Sequence, residues 1–302
     1  MCGLFGFVRY GEEIKNLNVI TNSLAKQSAV RGTDATGIAF CDGRKLKVVK
    51  DGKSAYEMDF KHSDSIRSLI GHTRHSTHGS EKKNCNNHPF QGRVGDLNFA
   101  LAHNGVLYND DELRRCLCLP KTKIETDSYV AAQLLMSRNE LGFDALKYMA
   151  EKVCGSFSFS IIDGEDNLYL VKGDSPLHIL HFPKSKIYVY ASTESILYKS
   201  LVDTPLFAEL KEKAYDEVAI SAGDILRIKP NGVMDKSSFV FSDYYGKAWW
   251  EIDLSRKSSV TDTYIENLKY MAAFEGIDPE EIDLLLAEGF TYDEIEEYLY
   301  GM

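Results

Sequence analysis

Apolar and polar positions fall into short blocks along most of the chain. "CGLFGFVRY", residues 2–10, is an apolar and aromatic run closed by Gly11, the pattern of a buried strand. Residues 16–30 place Leu17, Ile20 and Leu24 at helical spacing. "TGIAFCDGRKLKVVKDG" predicts a hairpin turning at Asp42-Gly43. Asp64 is a candidate cap for a short helix carrying Ile66, Leu69 and Ile70, after which "GHTRHST" reads as strand into loop. "LNFALAHNG" is a strand ending in a turn at Asn104-Gly105, and Thr126 is a candidate N-cap for the helix "DSYVAAQLLMSR". A further helix is predicted over 143–153. Short strands follow in "SFSFSIID", "NLYLVKG", "LHILHF", "KIYVYAS", "DEVAI" and "DILRIKPNG". Helices grouped between two sets of strands predict an α+β fold with packed sheets and helices outside.

The pattern changes near residue 240. "FSDYYGKAWW" is aromatic-rich and "EIDLSRKSSVTD" has linker composition. Two acidic amphipathic helices are predicted near 261–275 and 279–299, with apolar sets Ile265/Leu268/Met271 and Ile282/Leu285/Leu286. The second breaks at Gly289 and resumes with Ile295, Tyr298 and Leu299. The organisation expected is a main domain over 1–240, a linker over 241–260 and an acidic helical tail over 261–302.

Charge sharpens that division. The formal net charge is −10, yet residues 262–302 hold twelve acids and a single base, Lys269, so the main body is close to neutral. A body without a basic excess argues against broad nucleic-acid binding. The six cysteines are scattered and form no CxxC pair, which fits neither a disulfide framework nor a zinc ribbon and suits a reducing cytoplasm. No apolar run approaches the ~18 residues of a membrane span, and "MCGLFGFVRYGEE" lacks the basic start of a signal peptide. A cytoplasmic location is expected.

Two features carry candidate chemistry. "GHTRHSTHGS" places His72, His75 and His78 around Arg74. On a strand His72 and His78 would share one face and His75 the other, which argues against a three-histidine metal site from this segment alone. His88 and His103 lie near in sequence, and ordinary polar and core histidines are the alternative reading. Cys2 directly follows the initiator methionine. Removal of Met1 would put a thiol and a free α-amine, pKa about 7.7–8.0, on one residue, a nucleophile with its own base. A buried strand cysteine is the alternative.

Seven segments in order then resemble one family: "MCGLFGF", "RGTDATG" (31–37), "GHTRHSTHG" (71–79), "NNHPF" (86–90), "HNG" (103–105), "TDS" (126–128) and "GSFS" (155–158). The chain resembles the class II, N-terminal-nucleophile glutamine amidotransferases over roughly residues 1–235, in particular the glutaminase domain of glucosamine-6-phosphate synthase and the amidophosphoribosyltransferases. The resemblance implies a four-layer αββα sandwich needing no cofactor and no metal. It implies Cys2 as nucleophile, forming a glutamyl thioester, with the Asn104 side chain and Gly105 N–H stabilising the oxyanion. It assigns Arg74 to the glutamine α-carboxylate, Asp127 to the α-ammonium, and Thr77 and His78 to the substrate loop. Arg31, Gly32, His75 and His103 shape the pocket. Plainer readings stand beside these: "HNG" as a turn, Asp127 as a first-turn helix acid, Arg74 as a surface ion pair.

His75 departs from the family, whose close relatives carry an aromatic residue there; that bears on loop gating more than on the chemistry. The roughly 60 residues beyond the match are too few for a sugar-phosphate isomerase or phosphoribosyltransferase domain. A glutaminase subunit passing ammonia to a separate synthase or ligase is therefore expected, its tail docking that partner, mediating oligomerisation or simply packing. An amidohydrolase acting on another γ-glutamyl or small amide compound and a non-catalytic scaffold are the competing readings.

Overall fold

The computed structural model describes residues 2–43, 45–241 and 277–290, together with Ile265, Leu268, Lys269, Ala272, Glu294, Ile295, Tyr298 and Leu299. The chain forms two compact units, Met1–Phe241 and Ser242–Met302. Apart from Phe241, the linker expected over 241–260 lies outside the described residues, as does most of the first tail helix.

The first unit runs β1 (Gly3–Arg9), α1 (Leu17–Ser28), β2 (Ala35–Asp42), β3 (Lys45–Asp51), β4 (Ser68–Arg74), β5 (Phe90–Val94) and β6 (Leu97–Leu107). It continues with α2 (Asp110–Cys116), α3 (Tyr129–Met136), α4 (Phe143–Lys152), β7 (Gly155–Asp163), β8 (Leu168–Lys172), β9 (His178–Phe182) and β10 (Ile187–Ala191). It ends with α5 (Glu194–Leu201), α6 (Phe207–Lys211), β11 (Asp216–Glu217), β12 (Asp224–Ile228) and β13 (Met234–Ser238). The strands form two antiparallel sheets, in the orders β11-β9-β10-β1-β4-β2-β3 and β13-β12-β8-β7-β6-β5.

Alternation explains the layers. Along β1, Leu4 and Val8 join Ala39 and Ile70 against Ala100, Ala102, Ile162 and Leu170 of the second sheet. Phe5 and Phe7 face the other way, under Leu17, Ile20 and Leu24 of α1 and Ile196 and Leu197 of α5. The outer face of the second sheet, with Phe99, Leu101, Phe157 and Phe159, packs on Val130 and Leu134 of α3 and Leu146 and Met149 of α4. Each sheet is covered on both faces, so its central strands read as continuous apolar runs. Full burial of such a side chain stabilises by about 1.5–3 kcal/mol. The result is the four-layer αββα sandwich.

Several local expectations are corrected. Residues 68–74 are the strand β4, hydrogen-bonded between β1 and β2, not a helix: Leu69 and Ile70 belong to opposite faces of the sheet. Asp64 still acts as a cap, but for α1. Its Oδ1 accepts the Leu17 N–H at 2.9 Å and its Oδ2 the Asn16 N–H at 3.0 Å, at a helix start where Asn16 makes no side-chain cap bond. The turn at Asn104-Gly105 does not form; β6 continues to Leu107, pairing Asn104 with Ser158 and Gly105 with Phe157. Thr126 is not the side-chain cap of α3, which begins at Tyr129, and its hydroxyl is buried without a partner. The "DEVAI" strand shrinks to Asp216–Glu217.

In the second unit, α7 (Pro279–Ala287) follows the Asp278 cap, whose side chain accepts the Glu280 N–H at 3.0 Å, with Pro279 at the first helical position. It stops at Gly289, φ +92°, where Phe290 N–H reaches back to Leu285 O at 3.1 Å. Ile282, Leu268, Ala272, Ile295 and Leu299 are buried. Among the described residues no helix is long and apolar enough to cross a membrane.

Removing the remote cap leaves two helix-end donors without their partner. Asp64→Ala is expected to lower stability by about 1 kcal/mol, read as a lower denaturation midpoint, with Asp64→Asn falling between it and wild type.

Candidate active site

Strand pairing gathers the first half of the site. Gly3 pairs with Thr73 and Ala35 with Arg74, so Cys2, the 31–34 turn and the 75–79 loop lie at one end of the first sheet. The Arg31 Nε–H donates to Cys2 O at 2.7 Å. Gly32 lies directly on the Arg74–His75 peptide, where a Cβ would stand 2.3 Å from Arg74 C and 2.5 Å from His75 N. Its φ of 179° is ordinary extended backbone, so lack of space is what requires glycine.

The Cys2 thiol donates to His75 O at 3.6 Å. Burial pushes it up from its ordinary pKa, against the pull of the amino-terminal charge, the His75 carbonyl, Arg74 and Arg31. A thiol so placed is protonated at neutral pH and needs a base to become a nucleophile.

The Arg74 guanidinium is buried and spends three N–H groups on its surroundings. Nη1 donates to Asn87 Oδ1 at 2.8 Å, and Nη2 donates to His78 O at 2.5 Å and Gly79 O at 2.7 Å. Two of its five donors remain for another acceptor. Asp34 fastens the same loop: its Oδ2 accepts the Ser76 N–H at 2.7 Å and lies 3.9 Å from His75 Nδ1. The amino-terminal charge, then burial, push the His75 imidazole down. Thr77 and His78 are exposed, and His78 meets Arg74 through its carbonyl.

The second sheet supplies Asn104. It is buried, and its Nδ2 has no hydrogen-bond partner. Gly105 holds φ +133°, and a Cβ there would stand 2.0 Å from Ser156 O. Both constraints require glycine at this point of the strand. Asp127, at the start of the segment leading to α3, accepts the Leu107 N–H at 2.6 Å through Oδ2, and its Oδ1 lies 3.3 Å from Ser128 Oγ.

The histidines separate into groups. His75 and His78 belong to the loop beyond β4, so the strand parity that would put His72 and His78 on one face stops at Arg74. His72 Nε2 contacts His103 O at 2.9 Å and His88 Nδ1 at 2.8 Å. A carbonyl only accepts, so Nε2 of His72 carries the proton. His103 turns to the outer face, stacked on Phe159 with ring centroids 4.7 Å apart. Its Nε2 meets Ser156 O at 3.3 Å and its Nδ1 meets Ser128 Oγ at 2.8 Å, which makes Nε2 the protonated nitrogen. Burial pushes His103 down to about 4, and His72 and His88 well below their usual value. Among the described residues no group of three or more histidine, cysteine or acidic side chains could hold a metal ion.

The structure thus brings Cys2, Arg31, Gly32, Arg74 and His75 together, and His72 joins their sheet to the Asn104 strand. Sequence reasoning missed Asp34 and Asn87, although both lie inside segments it singled out, "RGTDATG" and "NNHPF". Lys50, which binds Pro89 O at 3.0 Å, carried no signal that separates it from Lys45 and Lys47 on the same strand.

Two antiparallel sheets between helical layers, with a cysteine opening a central strand, define the N-terminal-nucleophile class of sandwich. Within it the match is narrower. Residues 72–199 match the glutamine amidotransferase domain family. A glutamine–fructose-6-phosphate aminotransferase of Thermococcus kodakarensis is 31% identical over 75% of this chain and 38% of its own length. An amidophosphoribosyltransferase of Methanocaldococcus jannaschii is 31% identical over 81% of this chain and 50% of its own. A solved glutamine phosphoribosylpyrophosphate amidotransferase from B. subtilis shares the fold, with a TM-score of 0.63 and 24% identity over 80% of this chain and 50% of that one. The chain carries a class II glutamine amidotransferase domain, and it spans half or less of the length of these two curated relatives.

The neutral histidines set a pH limit. Unfolded, His103 titrates near ~6.5; folded, at about 4. The folded state binds this proton less readily, so the contribution is whole above the unfolded value and is lost as pH falls toward 4, on the order of 3 kcal/mol for His103 alone. Denaturation midpoints measured from neutral pH down toward pH ~5 should fall, and fall less steeply in His103→Gln. Equal slopes would contradict the assignment.

Proposed function

We propose that this domain hydrolyses the side-chain amide of glutamine and supplies ammonia to a separate acceptor. The observation that carries the reading is the buried, unpartnered Asn104 Nδ2, a donor held without an acceptor. A buried donor left unpaired costs about 1–3 kcal/mol. An oxyanion forming during the reaction would satisfy it.

Cys2 is the nucleophile in this mechanism. Its half-buried thiol needs a base, and with Met1 removed its own α-amine, pKa about 7.7–8.0, takes the proton. The thiolate attacks the amide carbon, and the oxyanion is held by Asn104 Nδ2 and the Gly105 N–H. As the tetrahedral intermediate collapses, the C–N bond breaks, the ammonium group returns its proton to nitrogen and ammonia leaves. Water then attacks the thioester, giving glutamate and the free thiol.

Recognition of an amino-acid head group falls to Arg74, whose positive charge and remaining N–H donors attract an α-carboxylate, and to Asp127 for the α-ammonium. Thr77 and His78 reach substrate from the exposed loop. Arg31 and Gly32 fix the backbone of Cys2 and of the 74–75 peptide, His75 covers the thiol, and His103, bonded to Ser128 and the Ser156 carbonyl, braces the Asn104 strand. Ammonia passes to a synthase or ligase, and the acidic tail is the element available to dock that partner.

Release of glutamate and ammonia from glutamine tests the reading. Cys2→Ala should abolish turnover, and Asn104→Ala should lower kcat by about 10²–10³ with little change in KM. Undiminished turnover by folded Cys2→Ala would overturn it.

A further inference from the structure

Arg74 has its direction set by Asn87, and Asn87 is itself held. Its Nδ2 donates to Glu81 O at 2.8 Å and to Asn84 Oδ1 at 3.2 Å, which leaves Oδ1 for the Arg74 Nη1–H. Behind this segment stands Lys50 of β3. Its ammonium donates to Asn87 O and, at 3.0 Å, to Pro89 O, and lies 5.3 Å from the centroid of the Phe90 ring. Its backbone carbonyl accepts the Asn84 Nδ2–H at 2.8 Å. One lysine therefore grips the 84–89 segment from both its main chain and its side chain.

The seat for that segment is built into the neighbouring strand. A Cβ on Gly37 would stand 2.2 Å from His88 O and 2.6 Å from Lys50 Cβ, so only glycine lets the His88–Pro89 peptide lie against β2 beside Lys50. Elsewhere on β3 the lysines turn outward; Lys47 pairs with Asp42 at the surface. Lys50 is withdrawn from water, and burial pushes its amine down to about 8, with Cys85 raising it and Arg74 lowering it. The position costs desolvation, which the two carbonyls offset.

We infer that Lys50 is a positioning residue for recognition of the substrate α-carboxylate: through the Asn87 carbonyl it fixes the amide that orients Arg74. The inference rests on the reading of Arg74 given above. Lys50 bonds the 84–89 segment and not the Cys2 thiol, so its effect belongs in substrate binding and not in the chemical step.

The test compares steady-state hydrolysis of glutamine and of glutamine α-amide, which lacks the carboxylate. Wild type, Lys50→Met, Lys50→Arg, Asn87→Ala and Arg74→Gln are assayed in the full chain, each first checked for a cooperative melt. Lys50→Met and Asn87→Ala should raise KM for glutamine about tenfold with kcat within about twofold, and Lys50→Arg, which keeps charge and donors, should recover most of the loss. With the α-amide, Lys50→Met and wild type should match. If Arg74→Gln raises KM for glutamine while Lys50→Met and Lys50→Arg do not, Lys50 only supports the fold and the inference fails. A Lys50→Met penalty of equal size on both substrates also overturns it. If Arg74→Gln itself leaves KM unchanged, the carboxylate assignment falls first, and the role of Lys50 falls with it.

Discussion

The site depends on holding two sheets in register across an apolar interface. Leu4, Ala39 and Ile70 on one side and Ala100, Ile162 and Leu170 on the other are attracted by burial, which has no preferred direction along the strands. Directional bonds supply that constraint. At the site end His72 Nε2 donates to His103 O at 2.9 Å, joining β4 to β6 one residue before Asn104. Toward the opposite end the Cys41 thiol donates to Asp163 O at 3.1 Å and the Ser68 hydroxyl to Asp166 Oδ1 at 2.7 Å. In the proposed mechanism the nucleophile, Cys2, belongs to one sheet and the oxyanion donor, Asn104, to the other, so their separation is set by such bonds and not by packing alone.

Close backbone approach is the second requirement. Gly32, Gly37 and Gly105 each let one main chain lie on another where a Cβ would collide with backbone atoms. The 31–34 turn can then rest on the Arg74–His75 peptide, the 84–89 segment on β2, and β6 on β7 beside Asn104. The residues proposed for recognition and chemistry are thus mounted on short braced loops and on the paired strand β6, where hydrogen bonds restrict displacement.

Strands were legible wherever both faces are buried, because an unbroken apolar run has few other readings; β1 and β7 are the clearest cases. Misreadings came where a local signal met a stronger partner. Asn104-Gly105 has the composition of a turn, but Ser158 and Phe157 of β7 pair with it and keep the strand extended. Ile66, Leu69 and Ile70 fit a helical spacing, yet β1 and β4 exchange backbone bonds that no isolated segment could anticipate. Among the candidate site residues, those within the segments that resemble the family could be found, and Cys2 stood out by its place after Met1. Lys50 could not, because its role comes from a carbonyl about forty residues away that the fold brings to it.

The central claim is that Cys2 serves as both nucleophile and base, through its thiol and its own α-amine. Intact-mass and peptide mapping of acid-quenched protein after brief exposure to glutamine tests it most directly. The account predicts a chain lacking Met1 with a single glutamyl group in thioester linkage at Cys2. Glutamine turnover by a chain that retains Met1, or a glutamyl group on Cys85 or another cysteine, would contradict it.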